Sequence, residues 1–232
     1  MSARILLNVD LGELPGEPEA LYECAHVANV ACGGHAGDDD SMRRAIDLGA
    51  LHGAALGAHP SYPDREGFGR RRVVMTSRAL EETVREQCLR LVRVAQERAR
   101  PIAYAKPHGA LYHDANASPA AADAVVLGLA DALGPRVTLI GPPTGALAEA
   151  ATRRGVPYAR EGFADRAARP DGTLVPRGEP GALVTDPAAA AAQAERLASS
   201  GSFETLCVHG DTPGAAAIAR AVRRVLDSVA GA

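Results

Sequence analysis

The sequence predicts an α/β fold in which seven strands alternate with helices. Short apolar runs alternate with longer segments whose apolar residues recur at helical spacing. Several helix starts are marked by a capping side chain followed by proline. Strands that alternate with helices pair in parallel through right-handed crossovers, so seven such units predict a (β/α) barrel or a large open sheet. No linker or low-complexity break divides the chain, and we expect residues 1–232 to form one domain.

Each expected strand is an apolar run of four to six residues that ends in polar or turn-forming residues. In chain order, the expected strands are Arg4–Val9, Val27–Cys32, Ala54–Ala58, Ile102–Ala105, Val137–Ile140, Pro157–Arg160 and Thr205–Val208. Their even distribution along the chain is what favours a repeated strand–helix unit over two separate domains.

The segments between these strands carry the helical pattern. The expected helices are Met42–His52, Ser77–Arg98, Ala120–Leu133, Thr144–Arg154, Ala188–Ser199 and Gly214–Val229. Ser118, Asp186 and Thr212 each precede a proline, and proline is favoured at the first position of a helix. We therefore expect these three side chains to cap the helices that follow them.

Composition excludes several classes of function. Hydrophobic residues make up 47% of the chain, but aromatic residues only 3%, so Ala, Val, Leu and Ile must fill the core. A net charge of -3 gives no basis for binding nucleic acid or an anionic membrane. No apolar stretch reaches the roughly 18 residues of a membrane span, and the N-terminus lacks a signal-peptide pattern. The four cysteines form no C-x-x-C pair, which favours reduced thiols in a cytoplasmic protein.

Polar residues follow directly after five of the expected strands. These residues are Asn8, Asp10 and Glu13; His35 and Asp38; His59 and Asp64; Lys106 and His108; and His209 and Asp211. In a parallel barrel the carboxyl ends of all strands emerge on one face, where such enzymes build their active sites. Four of the seven histidines are brought to this face from separate strands. The sequence therefore predicts a site at the carboxyl end of the barrel.

Lys106 is the only lysine, against twenty-four arginines. Guanidinium is a planar, permanently charged fork, whereas ammonium is a compact donor whose pKa changes on burial. A single lysine at a strand end in an arginine-rich chain therefore indicates a position where arginine does not serve. We expect Lys106 to be a buried cation that faces an anion.

Other polar residues have simpler interpretations. Asp38 and Asp211 are expected to cap the next helix, and Asp64 either caps a turn or belongs to the site. Cys32, at a buried strand end, is expected to be a core residue rather than a nucleophile. At least two members of the run Arg70–Arg72 are expected to be solvated. Three further histidines, expected to lie at the surface or in packing contacts, are His26, His52 and His113.

A metal or nucleotide site is not obvious from local motifs. The chain has no H-x-H, no H-E-x-x-H and no paired cysteine, so no compact ligand spacing is present and we expect no metal. If a metal is bound, Asp10, His35 and His59 are the candidate ligands across three strands. The chain also has no P-loop and no dinucleotide-type glycine pattern.

At the level of motifs the sequence resembles the LamB/YcsF family, in order from the first strand to the last. The segments that carry the resemblance are Asn8–Glu13, Asn29–Asp38, Gly57–Asp64, Gly67–Arg70, Lys106–Tyr112, Phe163–Arg166, Asp171–Arg177 and Val208–Asp211. The chain departs from the family pattern at Leu6, where an acidic residue is common, at Gly34, where Phe is common, and at Ala168, where an aromatic residue is common. The segment before Thr205 is also shorter.

The resemblance implies a seven-stranded (β/α) barrel of the glycoside hydrolase/deacetylase type. It also implies an activity, in which the lactam of 5-oxo-L-proline is opened to L-glutamate with hydrolysis of ATP by a complex that includes two partner subunits, B and C. Because the chain has no nucleotide loop, phosphorylation would fall mainly to the partners. Two rival interpretations stay open: a metal-dependent amide hydrolase or deacetylase on the same barrel, and a non-catalytic carrier subunit.

The chemistry of lactam opening suggests roles for the strand-end residues. Asp10, His35 or His59 would take the proton of the attacking water. Lys106 would stabilise an oxyanion or a leaving phosphate, and His108 would hand a proton to the ring nitrogen. The residues expected to contact the substrate are Arg177 and Arg70, which would grip its carboxylate, together with Asn8, Glu13 and His209.

Overall fold

The computed structural model describes residues 4–169 and 172–230. Seven parallel strands close into a barrel in chain order, and the first strand pairs with both the second and the seventh. The strands are β1 Leu6–Leu11, β2 Val27–Ala31, β3 Ala55–His59, β4 Ile102–Ala105, β5 Thr138–Gly141, β6 Tyr158–Phe163 and β7 Thr205–His209. This closure confirms the barrel and excludes the open sheet.

Helices follow each strand and cover the outside of the barrel. They are α1 Glu19–Cys24, α2 Asp39–Leu51, α3 Ser77–Gln96, α4 Gly109–Ala117, α5 Pro119–Leu133, α6 Ala146–Arg154, α7 Pro187–Ser199 and α8 Ala215–Ala230. Alternate residues of each strand pack against them, as Leu7, Val9 and Leu11 of β1 do in the main hydrophobic core. The other residues of β1 face the barrel interior, because side chains alternate between the two faces of a strand.

Two helices and two strand ends differ from the sequence predictions. The short helices α1 and α4 are absent from those predictions. Helix α1 has only six residues, too few to show a helical period, and α4 contains the weak helix formers Gly109 and Asn116. Strand β1 continues to Leu11 and β6 continues to Phe163, beyond the predicted ends at Val9 and Arg160. Both extensions carry polar residues, which a search for apolar runs excludes.

The capping predictions hold in part. Ser118 and Asp186 accept hydrogen bonds from the backbone N–H groups of Ala121 and Ala189 and cap α5 and α7. Asp38 caps α2 as predicted, in a reciprocal capping box with Ser41. The prediction for Thr212 is wrong: α8 begins at Ala215, and the Thr212 hydroxyl donates instead to a buried aspartate.

Throughout residues 4–169 and 172–230, helices long and apolar enough to cross a membrane are absent.

Candidate active site at the carboxyl end of the barrel

The barrel interior is layered along its axis. At the amino-terminal ends of the strands, Val27, Ile140 and Ala159 form a small apolar cluster with the partly buried Leu6 and Tyr104. Above this layer the inward positions become polar, and they border a cavity of about 470 Å³ that opens at the carboxyl end. Among the residues that line the cavity are Asp10, His59, Lys106, His108, Phe163 and His209.

Lys106 lies at the floor of this cavity and is only 2% exposed. Its Nζ lies 2.8 Å from Oε1 of Glu161 and 3.1 Å from Oδ1 of Asp10. It also donates to Oδ1 of Asn8 at 3.3 Å and to Sγ of Cys207 at 3.0 Å. We call these five residues the lysine cluster; they come from β1, β6, β7 and the end of β4.

Amide side chains hold the lysine cluster in place. Asn8 Nδ2 donates to Glu161 and to the Thr205 hydroxyl, both at 2.9 Å. Asn29 Nδ2 donates to Asn8 at 2.8 Å and to Asp10 at 3.0 Å. Every one of these groups is buried, so their hydrogen bonds form in surroundings where electrostatic interactions are stronger than in water.

The charges of the cluster keep each other ionised. Burial by itself would lower the pKa of Lys106, but the carboxylates of Asp10 and Glu161 and the Cys207 sulfur outweigh it and raise that pKa well above its ordinary value. Burial would likewise raise the pKa of Asp10, but the charges of His59 and Lys106 hold it well below its ordinary value. Burial and the charge of Asp10 raise the pKa of Cys207, so the thiol stays protonated.

Three histidines and a glutamate form a second cluster beside Lys106. The imidazole cluster consists of Glu13, His35, His59 and His108, all of them buried. The rings of His35 and His108 stack with centroids 3.6 Å apart, and the ring of His59 lies edge-on to both. Oε1 of Glu13 lies 2.9 Å from Nε2 of His35 and 3.2 Å from Nδ1 of His108.

The backbone at Phe68 and Gly69 is shaped around this cluster. Phe68 has a φ of 54°, a conformation that a bulky residue rarely adopts, and its carbonyl accepts a hydrogen bond from Nε2 of His108 at 2.9 Å. A Cβ at Gly69 would lie 2.8 Å from Cβ of His35 and 2.9 Å from Cδ2 of His108. Only glycine therefore allows this loop to close over the stacked rings.

The ionisation of the histidines is not uniform. Burial lowers the pKa of His35 to about 4 and also lowers the pKa of His108, despite the neighbouring carboxylate of Glu13. For His59, burial works in the same direction, but the carboxylate of Asp10, 3.4 Å from Nε2, outweighs it and raises the pKa. Burial would raise the pKa of Glu13, yet hydrogen bonds from His108 and His35 lower it far below its ordinary value.

His209, at the end of β7 beside Asp10, is oriented by the buried Asp165. Asp165 accepts from the backbone N–H of His209 at 2.9 Å, contacts its Nδ1 at 3.0 Å and accepts from the Thr212 hydroxyl at 2.6 Å. Because Nδ1 must carry the hydrogen that faces the carboxylate, neutral His209 presents the lone pair of Nε2 to the cavity. Phe163 stacks on the same ring, with centroids 5.7 Å apart.

Arginines surround the mouth of the cavity. Arg70, Arg72, Arg166 and Arg177 all line it. Arg177 makes a two-pronged ion pair with Asp211, at 3.0 Å for each contact, and Arg70 pairs with the same carboxylate. Asp211 therefore does not cap α8 as predicted: it ties the loops that follow β3 and β6 to the end of β7.

The structure brings together the five residues predicted to be catalytic: Asp10, His35, His59, Lys106 and His108. Of the predicted substrate contacts, Asn8 and Glu13 lie within the two buried clusters, whereas His209, Arg70 and Arg177 border the cavity. Cys32 is buried as predicted, and burial raises the pKa of its thiol to about 12. The side chains of Arg71 and Arg72 are 62% and 73% exposed, as expected for a solvated run.

Asp64 and the remaining histidines lie outside the two clusters. Asp64 accepts from the backbone of Gly67 and pairs with Arg71, so it organises the loop. His26 accepts from the Leu7 N–H, and His52 pairs with Glu19 at the surface. His113 is exposed but lines the cavity.

Several members of the site escape prediction from the sequence. Glu161 and Phe163 lie beyond the predicted end of the sixth strand at Arg160, although their alternate spacing on β6 is the signal that could have found them. Asp165 follows the same strand, and only its place in the segment Phe163–Arg166 points to it. Asn29 and Cys207 look like ordinary strand residues, because nothing local distinguishes an inward polar position from an outward one.

The three departures from the family pattern lie in different places. Leu6 packs in the apolar layer below the site. At Gly34 a Cβ would meet Oε1 of Gln87 at 2.4 Å and the Ser61 hydroxyl at 2.5 Å, so this chain has no room there for a larger side chain without rearrangement. Ala168 lines a second cavity, of about 610 Å³, beside the first.

Among the residues that the structure describes, two groups of donor atoms are close enough to ligate one ion each. The first is the imidazole cluster, and the second is formed by Asp10, Cys207 and His209; the donor atoms within each group lie within 4.8 Å of one another. The predicted metal ligands Asp10, His35 and His59 are thus divided between the two groups.

Comparison with known proteins places this arrangement in a family. The LamB/YcsF family model matches residues 5–231. A protein of Methylococcus capsulatus, named as the A subunit of 5-oxoprolinase, is 42% identical, over 97% of this chain and 93% of the relative. A Nocardia farcinica protein of the same name is 43% identical, over 95% of this chain and 94% of the relative.

Solved structures include one that is similar to this chain in both sequence and fold. The lactam utilization protein from Thermus thermophilus superimposes with a TM-score of 0.90 at 33% identity, over 98% of this chain and 97% of that one. A family 4 carbohydrate esterase from Streptomyces lividans, at a TM-score of 0.51 and 10% identity over 98% of this chain and 89% of that one, shares the barrel fold alone.

Proposed function

The chain belongs to the LamB/YcsF family, and from that premise we propose that it works as the A subunit of a 5-oxoprolinase. In this proposal the chain opens the lactam of 5-oxo-L-proline to L-glutamate, and the reaction is coupled to ATP hydrolysis in a complex with subunits B and C. The names of the relatives at 42% and 43% identity support this proposal.

One observation carries the proposal: the cavity joins a ring of arginines at its mouth to a buried array of proton-transfer groups at its floor. A volume of about 470 Å³ is at the small end of ligand pockets and suits a five-membered ring with one carboxylate. An anionic substrate would enter with its carboxylate toward Arg177 and Arg70. Its ring amide would then lie against Lys106, His59 and His108.

The reaction needs groups of this kind. An unstrained lactam resists water, and phosphorylation of the amide oxygen by ATP makes the ring carbon open to attack. Water then adds to that carbon, the carbon–nitrogen bond breaks, and the nitrogen takes up a proton. Breaking of that bond leaves the phosphoryl group on the new carboxyl group as an acyl phosphate. A second water hydrolyses the acyl phosphate to glutamate and inorganic phosphate, so two waters are consumed in all.

The residues divide these tasks by their ionisation. Asp10 is ionised and its Oδ2 lies 3.4 Å from Nε2 of His59, so the pair takes the proton of the attacking water. The Lys106 ammonium stabilises negative charge that develops on the oxygen or on the leaving phosphate. His108, whose Nδ1 lies 3.0 Å from Nε2 of His59, relays a proton toward the ring nitrogen. Asn8 and Glu13 keep these groups in position through hydrogen bonds and close contacts, and His209 contacts the substrate from the end of β7.

The test is an assay of glutamate formation from 5-oxo-L-proline and ATP. We expect no product from the chain alone, and product, with equal release of phosphate, when subunits B and C are present. The Asp10→Asn variant, assayed with both partners, serves as the control for participation of this chain and should lose most of the activity. Wild-type turnover by that variant would contradict the proposal, as would glutamate formation by subunits B and C without this chain.

A further inference from the structure

We propose that the imidazole cluster binds one divalent transition-metal ion, of which Zn²⁺ is the representative, at the floor of the barrel cavity. The existence of this site goes beyond the proposed function and does not depend on it. Only its use in lactam opening, where a bound ion would polarise the attacking water in place of the proton relay between His59 and His108, rests on the proposed function.

The first step of the argument is the direction of the histidine lone pairs. Nδ1 of His59 lies 2.7 Å from the carbonyl oxygen of Lys106, and Nε2 of His108 lies 2.9 Å from that of Phe68. A carbonyl only accepts, so each of these nitrogens carries the hydrogen. In the neutral rings the lone pairs are therefore on Nε2 of His59 and Nδ1 of His108. Backbone carbonyls commonly fix metal-binding histidines in this way.

The second step is the distance between those lone pairs. Nε2 of His59 and Nδ1 of His108 lie 3.0 Å apart and face each other. Two acceptors at this distance repel unless a positive centre lies between or beside them. His35 adds a third nitrogen, Nε2, which faces Glu13. Across the part of the chain that is described, Nδ1 of His35 has no hydrogen-bond partner, so no backbone contact fixes the tautomer of this ring.

The third step is the donor set and its spacing. Oε1 of Glu13 lies 2.9 Å from Nε2 of His35, 3.2 Å from Nδ1 of His108 and 3.7 Å from Nε2 of His59. Donors bound to one Zn²⁺ at about 2.1 Å are separated by roughly 3.0–3.5 Å at angles between right and tetrahedral. Binding must therefore bring His59 closer to Glu13 and turn the stacked rings of His35 and His108 out of parallel. Imidazole nitrogen with one carboxylate oxygen is a donor set that suits zinc and its first-row neighbours.

The fourth step is the balance of charge. Within the two buried clusters, the carboxylates of Asp10, Glu13 and Glu161 face a single fixed cation, Lys106. Two negative charges are left without a permanent counter-charge, and buried charges require one. A divalent ion supplies both positive charges at once. Protons shared among the histidines are the alternative source, and the experiment below separates the two.

The experiment is titration of chelator-treated protein with Co²⁺, which reports its coordination in the visible spectrum, followed by displacement with Zn²⁺. We expect about one ion per wild-type chain. His35→Gln and Glu13→Gln should each weaken binding by more than about 100-fold, since loss of a group that merely orients a ligand already costs about 10- to 100-fold. Circular dichroism of each metal-free variant checks that it is folded.

Two matched variants locate the ion. His113→Gln removes a histidine that lines the same cavity outside the cluster, and its binding should equal that of the wild type. Cys207→Ser removes the thiol of the other donor group, and the cobalt spectrum should not change. A thiolate-to-cobalt charge-transfer band that is lost in Cys207→Ser would place the ion at that other group and overturn the proposal.

Failure of the site and failure of the proposed function are distinguishable. If wild-type protein takes up no Co²⁺ or Zn²⁺ at micromolar concentrations, shared protons hold the cluster together and the proposal is wrong, whether or not the complex makes glutamate. If the ion binds as described and the complex makes no glutamate, the metal site stands and the proposed function falls.

Discussion

The lower and upper layers of the barrel interior lie on the same strands and differ completely in chemistry. Leu6 of β1 packs among hydrocarbon side chains, whereas Asn8 and Asp10, the next inward residues on that strand, belong to the lysine cluster. Two residues of a strand span about 7 Å, so the change from apolar packing to buried charge occurs within one layer. The lower layer stabilises the closed barrel, and the upper layers present charge to the cavity.

The comparison indicates which substitutions should change stability alone and which should change both stability and activity. The side chains of the lower layer pack in an apolar cluster of their own, so changing one of them should affect unfolding alone. Upper-layer groups are buried as deeply as the apolar ones, so changing one should affect both unfolding and turnover. The first two predictions below test this division, and the third concerns a half-buried histidine that lies outside both layers.

The largest effect is expected at Lys106. Lys106→Met removes the ammonium and leaves Asp10 and Glu161 as uncompensated buried charges. We expect the free energy of unfolding to fall by about 3–5 kcal/mol and turnover by the reconstituted complex to fall at least about 100-fold. Denaturant unfolding and the glutamate assay measure the two losses. The Lys106→Arg variant, which keeps the charge but not the compact shape, should also be impaired; full activity in either variant would refute the role of the lysine.

A smaller and purely structural effect is expected at Ile140 in the lower layer. Ile140→Ala removes methyl groups from a fully buried position and should lower the free energy of unfolding by about 2–5 kcal/mol. Activity per folded molecule, measured at a temperature where the variant is fully folded, should match the wild type. Ile140→Val provides the graded control, with an expected loss of about 0.5–1.5 kcal/mol. A drop in turnover without any loss of stability would mean that the two layers are coupled.

The smallest effect concerns His26, just before β2, and its dependence on pH. Burial and the charge of Arg223 lower the pKa of this half-buried ring to about 4, and its Nδ1 accepts from the Leu7 N–H. Between about pH 6.5, the ordinary pKa of an unfolded histidine, and about pH 4, the unfolded chain therefore binds a proton that the folded chain does not, so stability falls as the pH falls.

The matched variant for this effect is His26→Asn, which retains an acceptor for the Leu7 N–H and does not titrate. At about pH 5 the wild type should have lost about 1 kcal/mol more than the variant, allowing for solvent screening of a half-buried group. Denaturant unfolding over the range from about pH 7.5 to about pH 4.5 measures the difference. Parallel curves for the two proteins would show that His26 does not contribute.

Much of the fold was predictable because it depends on local pattern. Apolar runs alternate with helical segments, and Ser118 and Asp186 mark helix starts. The convergence of Asp10, His59, Lys106 and His108 was also predictable, since parallel strands carry their carboxyl ends to one face. The prediction failed where polar residues lie inside strands: the predicted sixth strand ends at Arg160, before the charged Glu161, and so leaves Glu161 and Phe163 out of β6.

The sequence by itself determined the alternating order of strands and helices and the face on which the polar strand ends meet, because these depend on periodicity and strand direction, and its composition singled out one lysine. The tertiary structure decided that the sheet closes into a barrel. Only the tertiary structure decided which charges meet: that the anions facing Lys106 are Asp10 and Glu161, that Asp211 holds Arg177 rather than a helix end, and that three imidazoles converge on Glu13. The physical reason is distance. Hydrogen bonds and ion pairs act over a few ångströms between residues that lie far apart in the chain, such as Asn8 and Thr205, which are 197 positions apart, and the closure of the barrel brings them together.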